Sequence, residues 1–393
     1  MINSNKKLGC WKCSDNSKFE RKFDALYHAT KNKLDVLYSF HDEIFDALDK
    51  KLLGKIPLNQ LYKERAQQLR DSYKYLILYY SGGADSHNIL MTFINNNIKL
   101  DEIIVKWPKE LIDGKFYTPN TADRSQKNIW SEWNFSIKPQ LDWLSVKHPE
   151  IKITIQDYTP SITNKNLETY FEKVDHTRLG IIQTFTKYNT ISKEDSAHII
   201  GADKPILAIH DNNVYMVFTD IAISGGQHAA CDYDNDNYVL EPFYWSPDFP
   251  VLACEMAYQL SEHFNIDKTK RKFLWPIDTI KKQMSFDSPG LNIPFASQLL
   301  VQYQNNITKK MCYLDTWDNR FQADKSVSAT RQDKWFWFFD DLQFKEQKEA
   351  FVSSVKSICA LVDDKFVIKA EHNSTPSVKT LTSKLFFIRK LEE

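Results

Sequence analysis

Length, composition and charge restrict the classes of protein to which this chain can belong. It has 393 residues, 42% of them hydrophobic, so it can bury a substantial core, and its length alone suggests two or three domains. Lys plus Arg and Asp plus Glu each number 51. Balanced charge provides no long-range attraction for polyanions or anionic membranes, so non-specific nucleic-acid binding is not expected.

Two features of the sequence bear on the cellular compartment. The N-terminus has no run that combines positive charge, an apolar stretch and a cleavage site. The longest apolar runs, such as 75–80 and 335–339, are far shorter than the roughly 20 residues that cross a bilayer. We therefore expect no membrane association and a cytoplasmic protein, in the host cytoplasm if the chain is viral.

The first 72 residues predict a helical N-terminal module. Residues 15–72 contain apolar side chains at helical spacing, namely Phe23, Leu26, Tyr27, Leu34, Leu37, Ile44, Phe45 and Leu48. A further helix is predicted from Leu58 to about Asp71, because Pro57 suits a helix start and apolar residues share one face beyond it.

Residues 75–107 have the pattern of a βαβ unit. The continuous apolar run from Tyr75 to Tyr80 is typical of a strand that is buried on both faces of a parallel sheet. A helix is predicted over 85–97. The segment 102–107 predicts a second strand, which Pro108 ends.

Strands and helices continue to alternate up to about residue 220. The predicted elements are a helical region at 122–147 interrupted near Pro139, a strand at 151–155, a helix at 166–187, a strand at 197–201, and a strand pair, 206–210 with 214–219, turned at 211–213. This alternation predicts an open, mostly parallel α/β sheet.

The alternation fades beyond residue 241. Helices are predicted over 250–264 and 343–361, and the segments 365–369 and 384–388 are predicted to pair as terminal strands. The sequence therefore divides into a helical N-terminal module, 1–72, an α/β domain, 73–240, and a mostly helical C-terminal region with a terminal β-hairpin, 241–393. The two flanks are expected to build the pocket for the acceptor, the second substrate of the reaction that is predicted below.

The turn between the first strand and its helix has the composition of a phosphate-binding loop, Ser81-Gly82-Gly83-Ala84-Asp85-Ser86. The two glycines lack Cβ atoms that would block an anion from the backbone N–H groups, and the two serines add hydroxyl donors. Asp85 would repel phosphate unless Mg²⁺ lay between them, which indicates a metal-bridged pyrophosphate.

This motif resembles the SGGxDS signature of the PP-loop, or N-type, ATP pyrophosphatases, which include the adenylating ligases asparagine synthetase and GMP synthetase. It lacks the Gly-Lys-Ser/Thr ending of a Walker A loop. The resemblance covers roughly 73–220. It implies ATP and Mg²⁺ as cofactors, and a Rossmann-like parallel sheet of about five strands, of the adenine nucleotide α-hydrolase type, with helical additions at both ends.

The resemblance also implies where the adenine lies. In the family the base is held largely by main-chain groups near the end of the second strand, which here places it near Val105 and Lys106. Trp107 follows, and either stacks on the base or is an ordinary core or rim tryptophan.

A second segment implied by the resemblance follows the fourth strand, Gly201-Ala202-Asp203-Lys204-Pro205. Gly201 and Asp203 would contact the nucleotide, and Asp203 would join Asp85 in holding Mg²⁺. Lys204 would neutralise charge as pyrophosphate leaves. The alternative is a surface turn with a solvated salt pair.

Other polar segments have weaker functional interpretations. Arg124 and Lys127 lie one helical turn apart, either near the phosphates or simply in solvent. The loop 224–232 is either a substrate lid or an inert surface loop. The aromatic stretch 241–248 resembles segments of uncharacterised phage-type members of the superfamily, and hydrophobic packing also explains it.

Cys10-Trp11-Lys12-Cys13 has the spacing of half a zinc site, but no second half is evident. A redox role, as in sulfur transferases of the same superfamily, and two reduced structural thiols are the other interpretations.

The sequence thus predicts an ATP-dependent, AMP- and pyrophosphate-forming ligase with Asp85 and Lys204 as catalytic residues. An oxygen of a carboxylate, amide or carbonyl acceptor, small or macromolecular, would attack the α-phosphorus, and a nitrogen nucleophile would then displace AMP. The chain begins Met1-Ile2, so no N-terminal glutaminase is expected.

Three alternatives stay open. The chain could be a sulfur transferase or a sulfonucleotide-binding, reductase-like protein of the same superfamily. It could also be a non-catalytic nucleotide sensor in a larger complex. The sequence leaves open whether the protein is a homo-oligomer or has a partner protein.

Overall fold

The computed structural model describes residues 9–20, 22–107, 133–157, 195–201, 204–220, 238–276, 295–313, 345–368, 377–379 and 381–392. Several sequence predictions lie outside these residues, namely Arg124, Lys127, the helix at 166–187, Ala202, Asp203, the loop 224–232 and the aromatic run 335–339. Within the described ranges, no helix is both long and apolar enough to span a bilayer.

The N-terminal part combines a small sheet with three helices. Its elements are β1 (Cys10–Cys13), β2 (Lys18–Phe19), α1 (Lys22–Asn32), β3 (Val36–Ser39), α2 (Asp42–Ala47) and α3 (Leu58–Ser72). The three strands form an antiparallel sheet in the order β2-β1-β3. Helix α3 confirms the prediction from Leu58.

The prediction of a purely helical N-terminal module is wrong at the three strands, 10–13, 18–19 and 36–39, whereas α1 agrees with the helical spacing of Phe23, Leu26 and Tyr27. Val36 and Tyr38 are buried whereas Leu37 between them is 37% exposed, which is the period-two pattern of a strand. The predicted helical spacing therefore fails at Leu37, because this residue pairs with Lys12 of β1 and the pairing decides the conformation of the short segment.

A five-stranded parallel sheet forms the centre of the molecule. Its strands are β4 (Tyr75–Tyr79), β5 (Glu102–Trp107), β6 (Lys152–Asp157), β7 (Ser196–Ile200) and β10 (Tyr238–Pro242). All neighbours pair in parallel, in the order β10-β7-β4-β5-β6. The chain therefore has an α/β, Rossmann-like sheet, as predicted. Strand β10 was not predicted, and it crosses the boundary placed at 240/241.

Two helices follow the first two strands of this sheet. Helix α4 (Ala84–Asn95) begins at the end of the Gly-rich loop, and α5 (Lys138–Lys147) follows one π-helical turn over 133–137. Pro139 lies in the first turn of α5, where its missing N–H is tolerated, and the chain changes from π-helix to α-helix at this point, in agreement with the predicted interruption. The predicted helical residues 122–132 lie outside the described residues.

The two faces of the central sheet differ in polarity. One face is mainly apolar, with the buried side chains Leu76, Leu78, Ile103, Ala197 and Ile199, and contacts α3 and α4. The buried Glu241 of β10 is on this face too. Because side chains alternate along a strand, the register places polar residues on the opposite face, namely Tyr75, Tyr79, Glu102, Lys106, Thr154 and His198.

A second sheet has the order β11-β8-β9-β14. Strands β8 (Ile206–His210) and β9 (Asn213–Val217) confirm the predicted strand pair. Asp211 and Asn212 between them have φ of 47° and 61°, the left-handed values of a tight two-residue hairpin turn. The outer strands are β11 (Trp275–Pro276) and β14 (Phe386–Lys390).

The C-terminal region contains helices α6 (Pro250–Ile266), α7 (Phe295–Cys312) and α8 (Lys345–Leu361). Helices α6 and α8 confirm the predictions from 250 and near 343, whereas α7 was not predicted. The predicted pairing of 365–369 with 384–388 is wrong. Strand β14 pairs with β9, and β12 (Val367–Ile368) pairs with β13 (Ser377–Val378). Local sequence pattern indicates a strand but not its partner.

The three predicted segments share one hydrophobic core, which includes Phe45, Leu78 and Leu260. Buried polar contacts also join them. Lys22 forms an ion pair of 2.8 Å with Asp220, and both side chains are at most 1% exposed. Helix α1 is therefore fixed to the end of the β8–β9 hairpin.

Candidate functional site

The Gly-rich loop lies at the point where the strand order of the central sheet reverses. The chain proceeds from β4 outward to β5 and β6, then returns to the other side of β4 with β7 and β10. The loop that follows β4 and Gly201, which follows β7, therefore flank this reversal. Ligands of open parallel sheets bind outside the carboxyl ends of the strands at such a point.

Gly82 has a conformation and surroundings that only glycine fits. Its φ is 73°, in the left-handed region that L side chains rarely adopt. A Cβ atom would lie 2.8 Å from both Ser136 Oγ and Ile137 Cγ1. The Ser136 hydroxyl also donates a 2.5 Å hydrogen bond to the Gly82 carbonyl. The turn that precedes α5 therefore packs directly on the loop.

Gly82→Ala is expected to destabilise the protein by about 1–3 kcal/mol, because it adds both left-handed strain and a steric clash. Gly83→Ala is the matched control, since Gly83 has a φ of −78° and its Cβ would contact only Ser81 Oγ, at 3.4 Å. Urea unfolding of both variants measures the difference. Equal unfolding midpoints would contradict this account of the loop.

Two serine side chains close the loop. The Gly83 N–H donates to Ser81 Oγ at 3.3 Å, and the Ser81 N–H donates to Ser86 Oγ at 3.2 Å. The Ser86 hydroxyl donates in turn to the Gly83 carbonyl at 3.1 Å. These bonds hold the backbone in a turn whose two hydroxyl oxygens lie 3.3 Å apart.

The N-terminus of α4 has the features of an anion-binding site. Gly83 is its N-cap residue, and no side chain caps the helix there. The first-turn N–H groups, those of Ala84, Asp85 and Ser86, have no intrahelical partners, and the helix dipole adds partial positive charge. An anion next to the loop would accept from these groups.

Gly201 lies where β7 meets this helix. A Cβ on Gly201 would be 3.2 Å from the Asp85 carbonyl carbon and 3.2 Å from the Ser86 backbone nitrogen. It would also approach Ile89 Cδ1 at 3.1 Å. A larger residue would push the first turn of α4 away from the sheet, so Gly201 allows the two backbones to approach closely.

The Asp85 carboxylate is fixed by groups from two other parts of the chain. Lys204 Nζ lies 2.7 Å from each of its oxygens, and the Tyr313 hydroxyl donates to Oδ1 at 2.5 Å. Lys204 is almost buried, at 7% exposure, whereas the carboxylate is 30% exposed. Asp85 and Lys204, both predicted as catalytic, thus form a direct ion pair at the loop.

Sequence reasoning missed the tyrosines at this site. The Tyr244 hydroxyl donates to the Asp85 carbonyl at 2.8 Å and accepts from Asn88 Nδ2 at 3.0 Å. Its ring stacks on Tyr313, with centroids 5.6 Å apart. Tyr244 belongs to the noted aromatic stretch 241–248, whereas no sequence signal distinguished Tyr313.

Lys309 is a further cation that the sequence did not indicate. It lies on α7, partly buried, and interacts electrostatically with Lys204 and Asp85. Burial lowers the pKa of Lys309, the Lys204 charge lowers it further, and Asp85 opposes this shift. Among the described residues, Lys204 and Lys309 are thus two cations whose charges act on the Asp85 carboxylate of the loop.

The end of β5, predicted to hold the adenine, is more enclosed. Val105 is fully buried on the apolar face of the sheet. Lys106 lies on the polar face with its ammonium 5.3 Å from the centroid of the Tyr79 ring, and burial holds its pKa well below the usual value. Trp107 is 2% exposed and stacks on Trp133 at 5.1 Å, which fits the core alternative for this tryptophan.

The polar face of the sheet contains hydrogen-bonded titratable groups. The Tyr79 hydroxyl lies 2.8 Å from His198 Nδ1, and burial lowers the pKa of His198 to about 4, so this imidazole is neutral at pH 7. Glu102 accepts hydrogen bonds from the hydroxyls of Tyr75, at 2.8 Å, and Thr154, at 2.5 Å. These contacts satisfy polar groups inside the sheet layer.

The described residues contain no group of three or more His, Cys, Asp or Glu side chains arranged to hold a metal ion. Mg²⁺ does not need such a group, because it binds through one or two carboxylates plus substrate phosphates and water. Asp85 is partly exposed, and its oxygens retain lone pairs beyond those that Tyr313 and Lys204 use. It fits a ligand of this kind.

Cys10 and Cys13 do not form half a zinc site in this structure. They lie at the two ends of strand β1, where residues three apart point to opposite faces of the sheet. Burial raises the pKa of both thiols, which disfavours the thiolate that a metal or a sulfur acceptor requires. Cys13 Sγ is near the Ala25 carbonyl at 3.7 Å, as expected for a structural thiol.

Comparisons with protein-family models, curated proteins and solved structures find no match for this chain. The functional argument therefore depends on the residues and geometry of the loop itself.

Proposed function

We propose that this protein binds Mg-ATP at the 81–86 loop and cleaves it into AMP and pyrophosphate, as an adenylating ligase of the PP-loop type. One observation carries the proposal. The glycine-dependent loop and the uncapped start of α4 lie at the strand-order reversal, the Asp85–Lys204 ion pair lies at this loop, and the charge of a further lysine, Lys309, acts on that pair.

The loop groups are suited to hold the β- and γ-phosphates. The first-turn N–H groups of α4 and the hydroxyls of Ser81 and Ser86 supply donors that the fold has already positioned, so little ordering is needed when the anion binds. In this proposal the adenine lies toward the end of β5, near the backbone of Val105 and Lys106.

Asp85 would hold Mg²⁺, together with Asp203, which lies outside the described residues. The ion supplies charge neutralisation between phosphate oxygens. Lys204 is already 2.7 Å from Asp85, so an ammonium group is available for the charge that develops on the α,β-bridging oxygen. Gly201 contributes by allowing β7 to reach the first turn of α4.

The proposed reaction has two steps. An acceptor oxygen attacks the α-phosphorus, the bond from this phosphorus to the α,β-bridging oxygen breaks, and pyrophosphate leaves with the electron pair. A nitrogen nucleophile then attacks the activated acceptor carbon and loses a proton, and AMP leaves with the electron pair of its bond to that carbon. The protein's part in both steps is positioning and charge stabilisation.

The sulfur-transfer alternative receives less support from this fold. Cys10 and Cys13 are the close pair on which it depended, and they point to opposite faces of a small separate sheet with their thiol pKa values raised. Nitrogen is therefore the preferred nucleophile.

The deciding experiment follows the products of α- and γ-labelled ATP with Mg²⁺ and a small-molecule extract. We expect label in AMP and in pyrophosphate. ADP with phosphate would refute the proposed cleavage, and saturable ATP binding without turnover would favour the nucleotide-sensor alternative.

A further inference from the structure

We propose that helix α7 completes the pyrophosphate site, with Lys309 as a second phosphate-binding cation and Tyr313 as the residue that positions the Asp85 carboxylate. This inference rests on the proposed function and deepens it. It assigns part of the nucleotide site to the C-terminal region, which the PP-loop resemblance over roughly 73–220 does not cover.

The first argument is that the end of α7 is fixed against the loop. Tyr313 follows the last residue of α7 and donates its hydroxyl to Asp85 Oδ1, 228 residues away in sequence. The Tyr62 hydroxyl of α3 donates to the Cys312 carbonyl at 2.8 Å, and the Tyr313 ring stacks on Tyr244. Contacts from three separate segments therefore determine where this helix ends.

The second argument concerns the position of Lys309. It lies four residues before Tyr313, one helical turn along α7, so both side chains are near the same end of the helix. Its charge interacts with those of Lys204 and Asp85. Within the described parts of the chain, Lys309 has no carboxylate at ion-pair distance.

The third argument is the charge balance. Among the described residues, Lys204 and Lys309 are two cations, and Asp85 is the carboxylate that interacts with both of them. A partly buried cation without an ion-pair partner costs free energy, which an anion in the site would offset. The excess charge lies beside the N–H groups of α4, so a polyphosphate is the ligand that matches both.

The role of Tyr313 is one of orientation. Its hydroxyl and the Lys204 ammonium approach the Asp85 carboxylate together, which restricts the side chain to one orientation. A carboxylate that is already oriented needs little reorganisation when it binds a metal ion or a phosphate-bound water. Tyr313 contacts no phosphate in this account and acts through Asp85.

The test compares Lys309→Met with Lys310→Met, because Lys310 is the exposed neighbour on the same helix. Methionine keeps the apolar stem and removes only the charge. We expect Lys309→Met to weaken the binding of inorganic pyrophosphate and of Mg-ATP by about 10–100-fold, as for the loss of one charged hydrogen bond. AMP binding should stay within about twofold, and Lys309→Arg should restore part of the lost affinity.

Tyr313→Phe should lower kcat while the KM for ATP changes little, because the carboxylate loses its orientation but the phosphate contacts remain. Calorimetric titration with pyrophosphate, ATP and AMP, together with thermal unfolding of each variant, separates binding from folding. If wild type binds pyrophosphate and cleaves ATP while Lys309→Met equals Lys310→Met, the inference is wrong and the proposed function stands. If the wild-type protein binds neither pyrophosphate nor ATP, both the inference and the proposed function are wrong.

Discussion

Asp85→Asn is expected to lower the rate of AMP and pyrophosphate formation by about 10²–10³-fold, the range for removing one electrostatic group aimed at a transition state. The asparagine can still accept the Tyr313 hydrogen bond, so the loop should keep its shape. What disappears is the negative charge that would hold Mg²⁺ and that now pairs with Lys204. The effect should therefore fall on turnover more than on stability.

The same labelled-ATP assay measures this effect, with Asp142→Asn as the control. Asp142 is an exposed carboxylate on α5 that pairs with Lys138, so its amide variant should retain the wild-type rate. Thermal unfolding of both variants confirms that they fold. An Asp85→Asn protein with wild-type turnover would show that the loop does not carry the reaction.

The candidate site could be predicted from sequence where its signals are local. A continuous apolar run followed directly by Gly82 and Gly83 predicts a buried strand and a tight turn, and the structure has both. Strand β5 was predicted with its observed bounds, 102–107, for the same reason. Lys204 was identified through the family resemblance, which implies a second Gly/Asp-containing segment after the fourth strand, and it lies against Asp85.

Lys309 and Tyr313 could not be found in this way. They are more than 200 residues from the loop in sequence, and a lysine and a tyrosine near a helix end are ordinary residues on their own. Only the packing of α7 against α3 and α6 brings them to the site. The placement of these two residues at the site therefore depends on the tertiary structure.

Strand β10 shows a related limit. Its segment, 238–242, ends in Glu241 and Pro242, two residues that disfavour a central strand. Proline is tolerated because, among the described strands, β10 is an edge strand that pairs with β7 alone. The carboxylate is tolerated because Arg65 and Tyr73, distant in sequence, meet it in the core.

Glu241→Leu is expected to destabilise the protein by about 3–5 kcal/mol, the range for removing one partner of a buried ion pair. Arg65 and Glu241 are each 1% exposed and lie 2.8 Å apart, and the Tyr73 hydroxyl donates to the same carboxylate at 2.5 Å. The variant leaves a guanidinium in the core that cannot release its proton. Its described acceptors would then be Gln68 Oε1 and the Pro242 carbonyl.

Arg65→Met should cost less, because a buried carboxylate can take up a proton and Tyr73 still donates to it. The double variant, Arg65→Met with Glu241→Leu, should lose less free energy of unfolding than the two single variants lose together, since no unpaired charge remains. Urea unfolding of the four proteins gives this cycle. Additive effects would mean that the two side chains do not act as a pair.

The Arg65–Glu241 pair is also expected to affect the proposed nucleotide site. Strand β10 pairs with β7 along its length, and β7 is followed by Gly201, whose backbone packs on the first turn of α4. Loosening β10 should therefore reduce the ATP affinity of Glu241→Leu, although Glu241 has no proposed contact with ATP. The affinity is measured at temperatures below the unfolding midpoint of the variant, where the protein is still folded. Asp142→Asn, with an exposed pair, should leave affinity unchanged. An ATP affinity equal to wild type in folded Glu241→Leu would show that β7 keeps its position without its neighbour.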